Sequence, residues 1–297
     1  MIYIICPNDT YKYFKHIIIA LNFELNNEDL QSKVILTHSF DEINMIKGSV
    51  LIFFGFQRFA LNSTSAEGAI DPSGSFVKML MDNKSILYNF EQLQSGNWNY
   101  LLPFTKYLYQ WWDYSNINIA YLKSHCENAV VRHIPFGYSK SLELATTVAQ
   151  SSNVITLFGT FHQRRHNLCN HLRQYISIPI VEFYNNQLFD KDYDDYIVKN
   201  KLYLNIHYYI PSILEIVRIV PLLSQGCLVI SERSDDKELD EMFSPFILWL
   251  DEVLINRDEV IHERLSTNSF TKFKELSFYK FLTKANVFDS LRSLKEA

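Results

Sequence analysis

Short apolar runs alternate with helix-length segments along this chain, and the alternation happens twice. In the first pass the apolar runs are "IYIIC", "KVILTH", "SVLIFFGF", "SILYNF" and "AVVRHIPFGY". Helical segments are expected between them, from Tyr11 to Leu25, around "DEINMI" and from Phe76 to Asp82. The second pass runs through "NVITLFGT", "IPIVEFY", "LYLNIHYY" and "CLVISE", separated by "HQRRHNLCNHLRQYI", "DKDYDDYIVKN" and a helix opening at Pro211. Strands that are apolar along their whole length and alternate with helices form parallel sheets with both faces covered. The expected fold class is therefore α/β, with two Rossmann-like, doubly wound domains. A chain of 297 residues exceeds what one core usually serves. Polar "SKSLELATTVAQSSN" reads as the connector between an N-terminal domain, 1–145, and a C-terminal domain, 146–297, that ends in helices from Glu252 onward.

A hydrophobic fraction of 47% with 15% aromatics supplies large cores and argues against disorder. The net charge of -5 gives no general pull toward nucleic acid or an anionic membrane. Cys6 and Cys227 sit inside apolar runs and no CxxC pair occurs, which suits a reducing compartment. The N-terminus reads as a first strand rather than a signal peptide, and no apolar run approaches the roughly 20 residues of a membrane span. A cytoplasmic protein without a membrane span is expected. His162 and His166 stand at helical spacing, but no cysteine or acid completes a zinc set, so no metal is expected.

Open parallel sheets bind ligands at the carboxyl ends of their strands, and two such domains facing one another place a site in the cleft. The stretch "LNIHYYIPSILEIVRIVPLLSQGCLVISE" presents such a strand end. Pro211 suits a first helical turn, Glu215 and Arg218 share a face three residues apart, and Gly226 ends the helix. A helix N-terminus attracts phosphate, a carboxylate there can accept two hydroxyl hydrogen bonds, and an arginine can hold phosphate or orient the carboxylate. His207, Tyr208 and Tyr209 close the strand, where a ring can stack on a base or touch a phosphate. In "LFGTFHQRRHNL" a strand ends at Gly159 and Thr160 and leads to Arg164 and Arg165, a second candidate for phosphate contact. In the first half Glu91 ends "ILYNFE" and Asp9 follows the first strand; both are candidate catalytic carboxylates, Asp9 with helix capping as its other reading. The aromatic cluster Trp98, Trp111, Trp112 and Tyr114 offers either a sugar platform or core packing. "FDKDYDD" reads as an acid-fronted helix rather than a metal motif.

The run "LNIHYY…LEIVRIVPLLSQGCLVISE" resembles the donor-binding half of a GT-B glycosyltransferase, and "LFGTFHQRRHNL" resembles the first loop of the same domain. The resemblance spans 153–232 and is architectural over the first half. It implies two Rossmann-like domains facing across a cleft, the second binding a nucleotide sugar and the first an acceptor. Gly159, Thr160, Arg164, Arg165, His207, Tyr208, Tyr209, Glu215 and Arg218 would then contact the donor. The large retaining families carry two glutamates eight positions apart; here Ile213 and Pro221 stand in those places, so retention is not implied. The activity implied is metal-independent sugar transfer to a glycan or other hydroxyl acceptor, as in polysaccharide biosynthesis, with the nucleotide sugar as co-substrate and no further cofactor. A nucleotide-sugar epimerase and a catalytically inactive binding module share the fold and stand as alternatives.

Overall fold

The computed structural model describes the chain apart from residues 38, 40, 41, 44, 45, 62, 64–69, 72, 73, 145–150, 186–189, 268 and 297. Half of "DEINMI" and the middle of the connector therefore lie outside the described residues. The chain divides into two units, Met1–Phe136 with Phe278–Ala297, and Gly137–Ser277.

The first unit is built on six parallel strands: β1 (Ile2–Cys6), β2 (Ser32–Leu36), β3 (Val50–Phe53), β4 (Lys84–Asn89), β5 (Gln110–Asp113) and β6 (Val131–His133). Their order across the sheet is β2-β1-β3-β4-β5-β6, with Ile4 of β1 opposite both Val34 and Ile52. Helix α1 (Asn8–Asn27) forms because Phe14, Ile17, Ile18, Leu21 and Leu25 recur at helical spacing, and all five are buried. Each such side chain contributes about 1.5–3 kcal/mol of hydrophobic stabilisation. The short helices α2 (Phe56–Leu61) and α3 (Ser75–Asp82) cover part of the sheet through Phe56, Phe59 and Phe76, whose rings meet Phe53 edge to face. Trp111, Trp112 and Tyr114 are buried, so core packing is the reading that holds for these aromatics. The buried Asp113 carboxylate accepts from Asn89 Nδ2, Trp111 Nε1, the Ser115 amide and Asn118 Nδ2, which ties β4, β5 and helix α4 (Asn116–His125) together.

The second unit carries β7 (Ser151–Gly159), β8 (Ile180–Tyr184), β9 (Asn200–Asn205), β10 (Leu228–Ser231) and β11 (Ile247–Trp249), all parallel, in the order β11-β10-β9-β7-β8. Its helices are α5 (Gln163–Leu172), α6 (Asp190–Ile197), α7 (Ile216–Ser224), α8 (Lys237–Phe243), α9 (Leu250–Ser266) and α10 (Ser269–Phe273). The expectation of two doubly wound, Rossmann-like α/β units is met. No helix among the described residues is long and apolar enough to cross a membrane.

The division differs from the expected one at both ends. The first unit ends at Phe136, not 145, and α11 (Phe278–Lys284) and α12 (Val287–Glu296) belong to it rather than to the second. They are fixed there by Tyr279 Oη and Arg292 Nη2 donating to the Glu28 carboxylate, and by Arg132 Nη2 and Gln110 Nε2 donating to Ser290 Oγ. Helical periodicity marks Val287, Phe288, Leu291 and Leu294 as a buried face, but not which sheet covers it.

Gly55 follows β3 at φ +60, and a Cβ there would stand 2.5 Å from Thr10 Oγ1 at the start of α1. Gly55→Ala is expected to destabilise the first unit by about 1–3 kcal/mol, from the left-handed backbone and the clash together. Denaturant unfolding followed by tryptophan fluorescence checks this; a wild-type midpoint would contradict it.

Candidate functional site

In the second sheet β7 and β9 are neighbours, but the chain leaves them in opposite directions, to β8 on one side and to β10 and β11 on the other. Such a reversal opens a crevice at the carboxyl ends of the two strands, here Gly159 and Asn205. Gly159 has φ +148, and a Cβ on it would meet Arg165 Nη1 at 3.0 Å and Arg218 Nη2 at 3.6 Å. Glycine thus lets two guanidinium groups close over the strand end. Arg165 comes from the first turn of α5 and is only 1% exposed. Its Nε donates to the Ile206 carbonyl at 2.9 Å and its Nη1 to the Thr160 carbonyl at 3.0 Å, while Nη2 is buried without a partner among the described residues. Burial, and then the neighbouring Arg218, push its pKa down to about 10, which leaves it cationic at neutral pH. Arg218, half-buried, donates through Nη1 to Asn205 Oδ1 at 2.9 Å.

Glu215 lies where this crevice meets α7, though not as its sequence suggests. The helix begins at Ile216 rather than Pro211, Pro211 stays exposed in the loop, and Glu215 is the N-cap residue. Its side chain caps nothing. Instead Oε2 accepts from Asn205 Nδ2 at 2.9 Å and from His207 Nδ1 at 2.8 Å. Asn205, absent from the sequence reading, therefore stands between Glu215 and Arg218, whose expected roles left open whether the arginine holds phosphate or orients the carboxylate. The other ring nitrogen of His207 faces the Arg233 carbonyl at 3.2 Å. Both partners can only accept, so both nitrogens carry protons and the buried ring is an imidazolium. Burial opposes that charge, but the Glu215 carboxylate outweighs it and raises the His207 pKa. Burial likewise opposes the Glu215 charge, and His207, Arg218 and Asn205 overcome it, holding that carboxyl well below the usual range.

Arg164 and Arg165 part company. Arg164 forms a two-pronged ion pair with Glu232, just past the end of β10, and also donates to the His207 carbonyl at 3.1 Å. The His207 amide donates to the same carboxylate at 2.9 Å. The pair lines a pocket of about 490 Å³ with Asn167, Leu168 and His171 of α5. Three guanidiniums and an imidazolium are thus gathered with two carboxylates, leaving an excess of positive charge at the β7/β9 crevice. At its rim the rings of His162 and Tyr208 stand 5.1 Å apart, those of Tyr208 and Tyr209 stand 4.9 Å apart, and Arg165 lies over Tyr208 at 5.4 Å.

In the first unit Glu91 follows β4, and its Oε1 accepts from Gln57 Nε2 of α2 at 2.9 Å. Burial pushes its pKa up to about 7. The Tyr100 hydroxyl is buried without a partner among the described residues; burial, and then Glu91, push its pKa up to about 12, so it keeps its proton at neutral pH. Asp9 stands in the first turn of α1 and pairs with Arg58 Nε at 3.2 Å, largely exposed.

No protein-family model matches this sequence, and no curated protein matches it. Among solved structures, an alpha-glucosyltransferase in complex with UDP-glucose and DNA containing an abasic site aligns over 96% of this chain and 95% of its own, at 10% identity and a TM-score of 0.48. A glycosyltransferase from Rickettsia africae ESF-5 aligns over 99% and 97% respectively, at 14% identity and a TM-score of 0.45. The glycotransferase of kitacinnamycin aligns over 99% and 95%, at 6% identity and a TM-score of 0.34. All three scores fall below 0.5, too low for any of these proteins to lend its chemistry to this chain.

The His207–Glu215 pair sets a pH dependence. The raised His207 pKa contributes stability that is complete below its ordinary 6.5 and is lost as pH rises through the folded value. The depressed Glu215 pKa contributes stability present above its ordinary 4.5 and lost as pH falls toward the folded value. Melting temperature, measured from pH 5 to 9, is expected to fall on the alkaline side in the wild type and to lose that component in His207→Asn. Identical profiles for the two proteins would contradict the imidazolium assignment.

Proposed function

We propose that the protein is a glycosyltransferase whose second unit binds a nucleotide-sugar donor at the β7/β9 crevice. The observation that carries this reading is the pair of guanidiniums over Gly159, with Arg165 Nη2 buried and unpartnered. A buried donor on a cation is costly until an anion meets it, and two adjacent guanidiniums suit the divided charge of a diphosphate. Glu215 adds a second requirement. Its Oε2 is occupied by Asn205 and His207, which leaves Oε1 to accept hydroxyl groups. An anion and vicinal hydroxyls on one molecule describe a nucleotide sugar, and the Tyr208 ring at the rim offers a face for its base.

Transfer then breaks the bond from the anomeric carbon to the diphosphate oxygen and forms one to the acceptor oxygen. Arg165 and Arg218 stabilise the charge that develops on the departing diphosphate. The acceptor's proton goes to a general base, and among the carboxylates of the first unit Glu91 has the chemistry for it: a pKa of about 7 suits it to be a carboxylate part of the time and still a usable base. Asp9, already engaged by Arg58, is the weaker claimant for that role.

A thermal-shift panel of nucleotide sugars should identify a stabilising donor, and an acceptor screen with it should show acceptor-dependent release of free nucleotide. Arg218→Ala is expected to weaken that donor by about 1.5–3 kcal/mol, the range for hydrogen bonds to charged groups. Unchanged affinity would remove the crevice from the reading. A nucleotide that binds without any turnover would favour the binding module. With a turning-over donor, kcat/KM should rise with pH through about 7, because only the ionised Glu91 accepts a proton. Glu91→Gln should be slow at every pH and lack that limb; a retained limb would assign the base elsewhere.

A further inference from the structure

Resting on the anion site proposed above, we infer that Asn205 is a positioning residue that keeps Glu215 and Arg218 from pairing with each other, and so leaves Arg218 available to the anionic ligand. Glu215 and Arg218 are three residues apart across the first turn of α7, a spacing at which a carboxylate and a guanidinium ordinarily meet. Between them stands one amide. Oδ1 of Asn205 accepts from Arg218 Nη1 at 2.9 Å, and Nδ2 donates to Glu215 Oε2 at 2.9 Å. The second Nδ2 hydrogen goes to Ser231 Oγ of β10 at 3.0 Å, so the amide is oriented from a third direction. Asn205 is 1% exposed, and its position at the end of β9 puts it at the floor of the crevice.

The task demands an amide. A carboxylate here would have no donor for Glu215 and would itself neutralise Arg218, while a hydroxyl reaches less far and cannot offer an acceptor and two donors from one plane. His207 completes the separation by holding Glu215 from the far side, Nδ1 to Oε2 at 2.8 Å. Remove the amide, and the nearest counter-charge for Arg218 is Glu215. The ion pair that forms would cancel one of the two cations over Gly159 without disturbing the sheet.

Calorimetric titration with inorganic pyrophosphate tests this, because the probe has no sugar hydroxyls to engage Glu215. The wild type should bind it, and Asn205→Ala should bind it at least about tenfold more weakly, as expected for losing one charge-assisted contact. In the double variant Asn205→Ala with Glu215→Gln no carboxylate remains to capture Arg218, so affinity should return to that of Glu215→Gln alone. A merely structural role for Asn205 would not be rescued this way. If Asn205→Ala does not fold, Asn205→Ser, which keeps a hydroxyl toward Ser231, is read in its place. Wild-type affinity in the single variant, or a double variant as weak as the single, would overturn the inference while leaving the anion site standing. Failure of the wild type itself to bind pyrophosphate would overturn both.

Discussion

Two like charges held together over a strand end need a reason, and the pair formed by Arg165 and Arg218 above Gly159 organises the second unit. Burying a guanidinium is expensive, and a second one beside it adds repulsion. The sequence answers this with backbone carbonyls from Thr160 and Ile206 for Arg165, and with the amide of Asn205 for Arg218. It favours glycine at 159, where the backbone takes φ +148 and a Cβ would crowd Arg165 Nη1 at 3.0 Å. The remaining deficit is negative charge, and that deficit is what the proposed anion site rests on.

The surrounding carboxylates are placed so as not to fill it. Glu232 is committed to Arg164 and the His207 amide, and Glu215 is committed through one oxygen to His207 and Asn205. Each carboxylate thus makes its direct ion pair with a cation other than Arg165 and Arg218. The protonated state of His207 belongs to the same logic: a neutral ring would leave the Glu215 charge balanced by the guanidiniums alone. Packing, protonation and ligand preference are in this sense one problem, solved at the point where β7 and β9 part.

Much of this could be read in the chain because strand ends are visible as patterns. The apolar runs marked where β7 stops, although β9 ends at Asn205, short of the His207–Tyr209 close expected for it, and in doubly wound sheets strand ends are where ligands bind. Gly159, Arg165, His207, Glu215 and Arg218 were singled out on that pattern, and the fold brings their side chains and backbone close to one another. Partnership was harder. Arg164 and Arg165 are adjacent and chemically alike, yet one is paired with Glu232 and the other is buried over Gly159, a difference set by helix rotation relative to the sheet. Asn205 left no signal, because a single polar residue at a strand end has many ordinary uses. The helix start was misplaced because Pro211 permits a first turn without requiring one, while the loop 208–215 is held instead by Ser212 and Asp235. Glu91 was legible as a strand-end carboxylate, but its company, Gln57 and Tyr100, comes from segments distant in sequence.

The account turns on where a diphosphate sits. A crystal structure of the protein soaked with a nucleoside diphosphate is the most direct measurement. The account predicts phosphate oxygens at about 2.7–2.9 Å from Arg165 Nη2 and Arg218 Nη2, with the Arg164–Glu232 pair intact. A diphosphate bound instead in the pocket formed by Arg164, Asn167 and His171, with the guanidiniums over Gly159 untouched, would contradict it.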